Sequence, residues 1–227
     1  MKVRNVVTLA MPLNFAAAIT LGLGGNCLSA RAENITFPAD AGHLDVTKAP
    51  YNVVPGDGVD DTLAIQAALS DACDQQRIVY FPNGTYNVSN TLVWRFRGSD
   101  GTPGQGSWCP NMSIQGQSEA GVIFKLKDNC PGFQGAAGLW GNWSGGKGVI
   151  QTAGIGDESG NTAFGNSLRN FTVDVGVGNP GAFGVDYIGN NQGMVNNITL
   201  KAGANSGAVG MRCTNGSPGP CLLKNIT

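Results

Sequence analysis

The segment Leu168-Arg169-Asn170-Phe171-Thr172-Val173-Asp174 returns as Val195-Asn196-Asn197-Ile198-Thr199-Leu200-Lys201, and its start returns again as Leu223-Lys224-Asn225-Ile226-Thr227. The three asparagines are spaced 27 and 28 residues apart. Between the first two copies lies Phe183-Gly184-Val185-Asp186-Tyr187, and 26 residues further on comes Val209-Gly210-Met211-Arg212-Cys213. Two short strand patterns per period, joined by Gly and Asn turns, describe one circuit of a solenoid. No helix fits within the period, which excludes leucine-rich and helical repeats. The pattern predicts an all-β parallel β-helix, each strand stacking at about 4.8 Å on its copy one circuit away. Asn111-Met112-Ser113-Ile114, two periods before Asn170, reads as an earlier and more diverged copy.

Composition agrees with many tight turns. Gly accounts for 35 of 227 residues, about twice the usual share, and shows no three-residue period, so collagen is excluded. Charged residues are only 13%, and 14 Lys plus Arg against 15 Asp plus Glu leave a net charge of −1. That balance excludes a nucleic-acid footprint and a polybasic membrane anchor. A hydrophobic share of 41% argues against low-complexity disorder.

Lys2 and Arg4, an apolar run from Val6 to Leu23 and the site Ala30-Arg31-Ala32 describe a secretory signal over residues 1–32. The expectation is therefore a secreted protein (extracellular, periplasmic or cell-surface), with one domain over 33–227 and no stable membrane span after cleavage. Pro12, Asn14 and the glycines from 22 to 25 argue against an N-terminal membrane helix. Five cysteines remain in an oxidising compartment. Cys213–Cys221 and Cys109–Cys130 are the plausible bridges, and Cys73, on an apolar helix face, is the candidate buried thiol. With His43 the only histidine, the chain holds no zinc pattern.

Asp60-Asp61-Thr62 offers capping oxygens ahead of Ile65, Ala68, Leu69, Ala72 and Cys73, the stripe of an amphipathic helix ending near Gln75-Gln76. Ile78-Val79-Tyr80-Phe81 then reads as a buried strand and Pro82-Asn83-Gly84-Thr85 as a turn. Nine N-x-S/T sequons occur. Those at Asn170, Asn197 and Asn225 hold one place in successive circuits, where a bend switches the inward parity. They are expected to form an internal hydrogen-bonded ladder.

Residues 44–92 resemble the N-terminal signature of the rhamnogalacturonase/epimerase-like pectate lyase superfamily, related to glycoside hydrolase family 28. The residues that carry the resemblance are Leu44-Asp45-Val46, Gly56-Asp57-Gly58-Val59-Asp60-Asp61-Thr62, Ile65-Gln66-Ala67-Ala68, Val79 through Tyr86, and Thr91-Leu92. The resemblance implies a right-handed parallel β-helix with one capping α-helix at its N-terminal end, in a carbohydrate-active protein that cleaves a polysaccharide by hydrolysis or β-elimination. The alternative is a non-catalytic glycan-binding or adhesion β-helix. In this setting Asp60-Asp61 start the capping helix and are not a catalytic pair. The Asn-Thr-Asp, Gly-His-Gly and Arg-Ile-Lys motifs of the polygalacturonase branch are absent.

Aligning the circuits stacks Asp174 over Lys201 and Asp186 over Arg212, each side chain pointing away from the apolar Val173/Leu200 and Val185/Met211 columns. These four are the candidate catalytic residues. In a lyase, carboxylates would hold Ca²⁺ against an acidic sugar while a base takes the proton α to its carboxyl group. In a hydrolase, two carboxylates would flank the scissile bond. No cofactor is otherwise required. The same stacked pairs also suit cross-strand ion pairs that fix register. Trp140 and Trp143, in a Gly-rich loop, are candidates to stack on sugar rings or to cover a sheet edge. Asn225-Ile226-Thr227 opens another circuit without a polar cap, so the sequence reads as part of a longer solenoid, or as one that self-associates through its last coil.

Overall fold

The structure is a computed structural model that describes residues 35–95, 109–135, 146–154, 164–189, 191–207, 209–213 and 219–227. The expected signal segment, Trp140 and Trp143 lie outside the described residues. Among these residues the protein is mostly β, with one α-helix and parallel pairing between strands. None of their helices is long and apolar enough to cross a membrane.

The chain runs β1 (His43–Asp45), α1 (Thr62–Gln75), β2 (Ile78–Phe81), β3 (Gly84–Val88), β4 (Leu92–Arg95), β5 (Ser113–Gly116), β6 (Val122–Leu126) and β7 (Lys147–Gly154). It continues as β8 (Ser167–Asp174), β9 (Ala182–Asp186), β10 (Gly193–Lys201), β11 (Val209–Arg212) and β12 (Cys221–Ile226). Three files of parallel strands result. The first is β1-β2-β5-β8-β10-β12 and the third is β4-β7-β9-β11. The second is β3-β6, continued by the latter half of β8, because Ser167–Arg169 pair with β5 whereas Thr172–Asp174 pair with β6. One strand thus serves two files by bending at Asn170. β10 bends likewise at Asn197, with Val195 opposite Leu168 and Lys201 opposite Asp174.

Those bends explain the repeated Asn. Asn170, Asn197 and Asn225 have φ of 58°, 56° and 51°, a left-handed conformation that Asn tolerates better than other side-chain-bearing residues. Their amides form the expected ladder: Asn197 Nδ2 donates to Asn170 Oδ1 at 3.0 Å, and Asn225 Nδ2 to Asn197 Oδ1 at 2.8 Å. The earlier copy assigned to Asn111 is displaced. Ser113 pairs with Ser167 and Gln115 with Arg169, so Gly116 holds the place before Asn170. A Cβ on Gly116 would come within 2.0 Å of the Asn170 carbonyl oxygen. The 54-residue offset is a single lengthened circuit, because β5 and β8 are direct neighbours.

Alternation sends Val79, Phe81, Tyr86, Ile114, Phe124, Leu168, Phe171, Val173, Val195 and Ile198 inward, all buried in one core. Phe81, Phe124 and Phe171 follow one another edge-to-face, with centroids 4.8 and 5.2 Å apart, a favoured aromatic geometry.

Helix α1 covers the strand edges at the start of the stack. Gln66 Nε2 donates to Val93 O at 2.8 Å and Gln66 Oε1 accepts from Val93 N at 3.0 Å, so one amide replaces a neighbouring strand. Asp61 treats β3 in the same way. Its N–H donates to Asn87 O at 2.8 Å, and its Oδ2 accepts from Asn87 N at 3.0 Å. The Asp61 side chain therefore caps no helical N–H; Asp60 Oδ1 takes the Thr62 N–H instead, at 3.0 Å. A solenoid needs such cover, because its first coil otherwise presents unpaired strand edges.

The cysteines differ from the sequence reading. Cys73 is not a free thiol: it is bonded to Cys109, with Cα atoms 5.4 Å apart. Cys130 is buried and free, and Cys213 and Cys221 are exposed and free. The fold carries Cys109 back beside α1, a juxtaposition that sequence spacing does not encode.

Candidate functional site

The alignment of circuits read from the sequence is the structural register: Asp174 is opposite Lys201, and Asp186 is opposite Arg212. The two pairs sit in different files, so they do not converge on one centre.

In the third file the outward column is Val93, Gln151, Asp186 and Arg212. Asp186 does not reach solvent as expected; it is 1% exposed. Arg212 closes over it, Nε donating to Oδ1 at 3.0 Å and Nη2 to Oδ2. The guanidinium also lies 5.2 Å from the Phe183 ring centroid. This two-point grip is the strong form of an ion pair, and it occupies both carboxylate oxygens. Gly148 makes room for it, since a Cβ there would stand 3.0 Å from Asp186 Cβ.

In the second file Asp174 makes its ion pair toward the preceding circuit. Lys125 Nζ donates to Asp174 Oδ2 at 3.2 Å and lies 3.6 Å from Asp128 Oδ1. Asp174 Oδ1 accepts from Gly176 N, and Asp128 Oδ1 from Val177 N, both at 2.9 Å. Lys125 and Asp128 were missed from the sequence because their circuit is 49 residues long, outside the 26–28 residue period. The alternation Phe124-Lys125-Leu126 is the signal that could have found them.

Calcium does not fit these carboxylates. Among the described residues no group of three or more His, Cys, Asp or Glu could hold a metal ion. A cation beside Asp174 and Asp128 would meet the Lys125 ammonium, and Asp186 is already neutralised by Arg212.

Among the described residues, Asp61 is the carboxyl moved far from its ordinary pKa. Burial pushes it up to about 6; the Asn87 N–H opposes that rise, and neighbouring Asp57 and Asp60 add to it. Burial acts upward on Asp60 too, but hydrogen bonds from Ser89 and Thr62 outweigh it and hold that carboxyl below its usual range. Both residues serve the junction of α1 with β3, which accounts for their perturbation without a catalytic role.

Against known proteins, the family profile "Rhamnogalacturonase A/epimerase, pectate lyase-like" matches residues 49–227. The chain belongs to that family. This member of the rhamnogalacturonase A/epimerase, pectate lyase-like family is 50% identical over 38 residues to a glucan 1,3-beta-glucosidase of Cochliobolus carbonum. That stretch is 16% of this chain and 5% of the relative. It is similar in structure to the A-module of mannuronan C-5 epimerase AlgE4 of Azotobacter vinelandii, with TM-score 0.42 and 16% identity, over 69% of this chain and 37% of that one. It is also similar to the Agl-KA catalytic domain, with TM-score 0.40 and 17% identity, over 83% of this chain and 37% of that one.

Proposed function

We propose that this chain forms a right-handed parallel β-helix in a secreted protein that cleaves a polysaccharide, pectin-like or another glycan, by hydrolysis or β-elimination. The supporting observation is the family match over residues 49–227; the basic, apolar and Ala-Arg-Ala run at the start supports secretion. Of the four candidate catalytic residues, Asp174 and Lys201 are open to a glycan, being half-buried and exposed, whereas Asp186 is enclosed by Arg212. No step is assigned to calcium, for the reason given by the carboxylate partners. The test is digestion of pectin, rhamnogalacturonan and β-glucans by the secreted protein. Ultraviolet-absorbing unsaturated products identify elimination, and new reducing ends without that absorbance identify hydrolysis. Neither product from a folded protein would remove the cleavage reading.

A second reading, a non-catalytic glycan-binding β-helix, is favoured by one observation. Both acidic candidates are already committed, Asp186 to Arg212 and Asp174 to Lys125. Glycan binding without turnover supports it, and replacement of Asp174 then leaves binding elsewhere on the chain unchanged.

A further inference from the structure

Six of the nine N-x-S/T sequons stand apart from the Asn170, Asn197 and Asn225 ladder, and of these Asn34, Asn142 and Asn215 lie outside the described residues. Asn83, Asn87 and Asn111 remain, in three different settings. Asn83 is half-buried. Its Oδ1 accepts from Ser118 Oγ at 2.7 Å, and a Cβ on Gly121 would stand 2.3 Å from that same oxygen. Asn87 is half-buried in the middle of β3, opposite Lys125 on one side and bridged to Asp60 on the other. Asn111 is exposed.

Asn111 stands at the corner where the chain returns to the first file. Its N–H donates to Phe164 O at 2.7 Å, Gly165 N donates to Asn191 O at 3.1 Å, and Gln192 N to Pro220 O at 2.9 Å, so successive circuits turn this corner in register. All three donors have left-handed backbone, with φ of 58° at Asn111, 64° at Gly165 and 72° at Gln192. Asn tolerates that region, which accounts for the residue type here without the ladder. The neighbour one circuit on is Gly165, two residues before Ser167 as Asn111 is before Ser113, so no side chain stands over the Asn111 amide. A Cβ at Gly165 would come 2.3 Å from Asn111 Oδ1 and 3.4 Å from its Cγ. The amide therefore presents its oxygen to Gly165 and turns Nδ2 away, and no hydrogen bond among the described residues engages that Nδ2.

We propose that Asn111, alone among the described sequons, carries an N-linked glycan in the folded protein, transferred from a lipid-pyrophosphate-linked oligosaccharide as the chain enters the secretory lumen. The inference rests on the secretion reading above and goes beyond it to a covalent modification. Transfer breaks the C1–O bond between sugar and pyrophosphate and forms a bond from C1 to Asn111 Nδ2. The amide gives up one proton and the lipid pyrophosphate leaves, with no change of oxidation state. The Ser113 hydroxyl completes the sequon. In the folded chain that hydroxyl bonds Ser167 Oγ, so transfer precedes the pairing of β5 with β8. The folded state then decides which acceptors tolerate a sugar. At Asn111 the glycan leaves an exposed turn beside a bare glycine. In the ladder, Asn197 and Asn225 each commit an Nδ2 proton to the amide before them. Strands stacked at about 4.8 Å leave no room for a pyranose ring between those amides, and Asn170 shares that spacing with Asn197. Asn83 is hemmed in by Ser118 and Gly121, and Asn87 by Asp60 and Lys125.

The test is secretion of the full chain by a yeast host, followed by peptide mass mapping of the folded protein from the medium before and after endoglycosidase treatment. The Asn111 peptide is expected to carry the oligosaccharide and to keep a single N-acetylglucosamine after digestion. The peptides holding Asn83, Asn87, Asn170, Asn197 and Asn225 are expected to be unmodified. Asn111→Asp, which keeps a residue tolerant of positive φ, should abolish the modification, and Ser113→Ala should abolish it with Asn111 in place. Ser113→Thr supplies the sequon hydroxyl again and should retain the glycan, which separates loss of the sequon from a disturbed fold. A folded, secreted chain that is bare at Asn111, or glycosylated at any of the other described sequons, overturns the proposal and leaves the secretion reading standing. A chain held in the cytosol with residues 1–32 still attached overturns both.

Discussion

Asn197 donates from Nδ2 to Asn170 Oδ1 at 3.0 Å while its own Oδ1 accepts from Asn225 at 2.8 Å. It sits midway in a ladder at a backbone φ of 56°. Two properties are therefore required of the side chain, tolerance of the left-handed region and a donor plus an acceptor in line. Substitution separates them. Asn197→Gly keeps the backbone and loses the bonds, and should cost about 1 kcal/mol. Asn197→Ala loses both and should cost about 2–3 kcal/mol. Urea denaturation that ranks Ala at or above Gly would contradict this division.

Gln66 is the helix residue whose loss the sheet should feel most. It meets both backbone groups of Val93, and Val93 is buried. Gln66→Leu retains the helix and the volume but leaves a buried N–H and a buried C=O unpaired. The expected loss is about 2–4 kcal/mol, accompanied by faster amide exchange at Val93. Protection unchanged at that amide would show that α1 does not act as the edge partner.

Reduction should loosen the same junction. The Cys73–Cys109 bridge spans 36 residues, and closing a loop of that size contributes about 3–4 kcal/mol through the unfolded state. A Cys73→Ala/Cys109→Ala double variant is expected to fall by roughly that amount in urea. A peptide map of the unreduced chain should recover the two cysteines in one linked fragment.

Asp61 sets a pH dependence with a definite sign. Its folded pKa of about 6 lies above the 3.8 of the unfolded chain, so between those values the folded state holds more protons. Stability from this group rises as pH falls from 7 through 6 toward 4 and is lost again as pH climbs through 6. Asp61→Asn keeps an acceptor for the Asn87 N–H and removes the charge. It should stabilise the protein at pH 7 by about 1–3 kcal/mol and flatten the profile between pH 4 and 6. A variant less stable than the parent at pH 7 would assign the carboxylate a different role.

How far the sequence reaches is clear from particular residues. Val173 opposite Leu200, Asp174 opposite Lys201 and Asp186 opposite Arg212 are legible because those circuits have nearly equal length, so offset alone gives register. The ladder was legible for the same reason. Gln115 opposite Arg169 and Lys125 opposite Asp174 are not, because insertions stretch that circuit and break the period. Burial of Asp186 was hidden as well. Alternation tells which side of a strand a residue faces, but not whether an Arg from the next circuit folds over it. Cys73–Cys109 joins a helix to a segment beyond three strands, and no local pattern encodes such a contact.

The Asp186–Arg212 pair separates structure from catalysis most sharply. Asp186 is almost wholly buried beneath a half-buried Arg212, and removing one partner leaves the other's charge uncompensated. Asp186→Ala should cost about 3 kcal/mol, whereas Asp186→Leu with Arg212→Met, which removes both charges, should recover most of that loss. The measurement is urea denaturation of the single and double variants, paired with the polysaccharide assay. If the pair fixes register only, the double variant regains stability and any cleavage activity together. If stability returns while activity stays lost, Asp186 or Arg212 takes part in the chemistry.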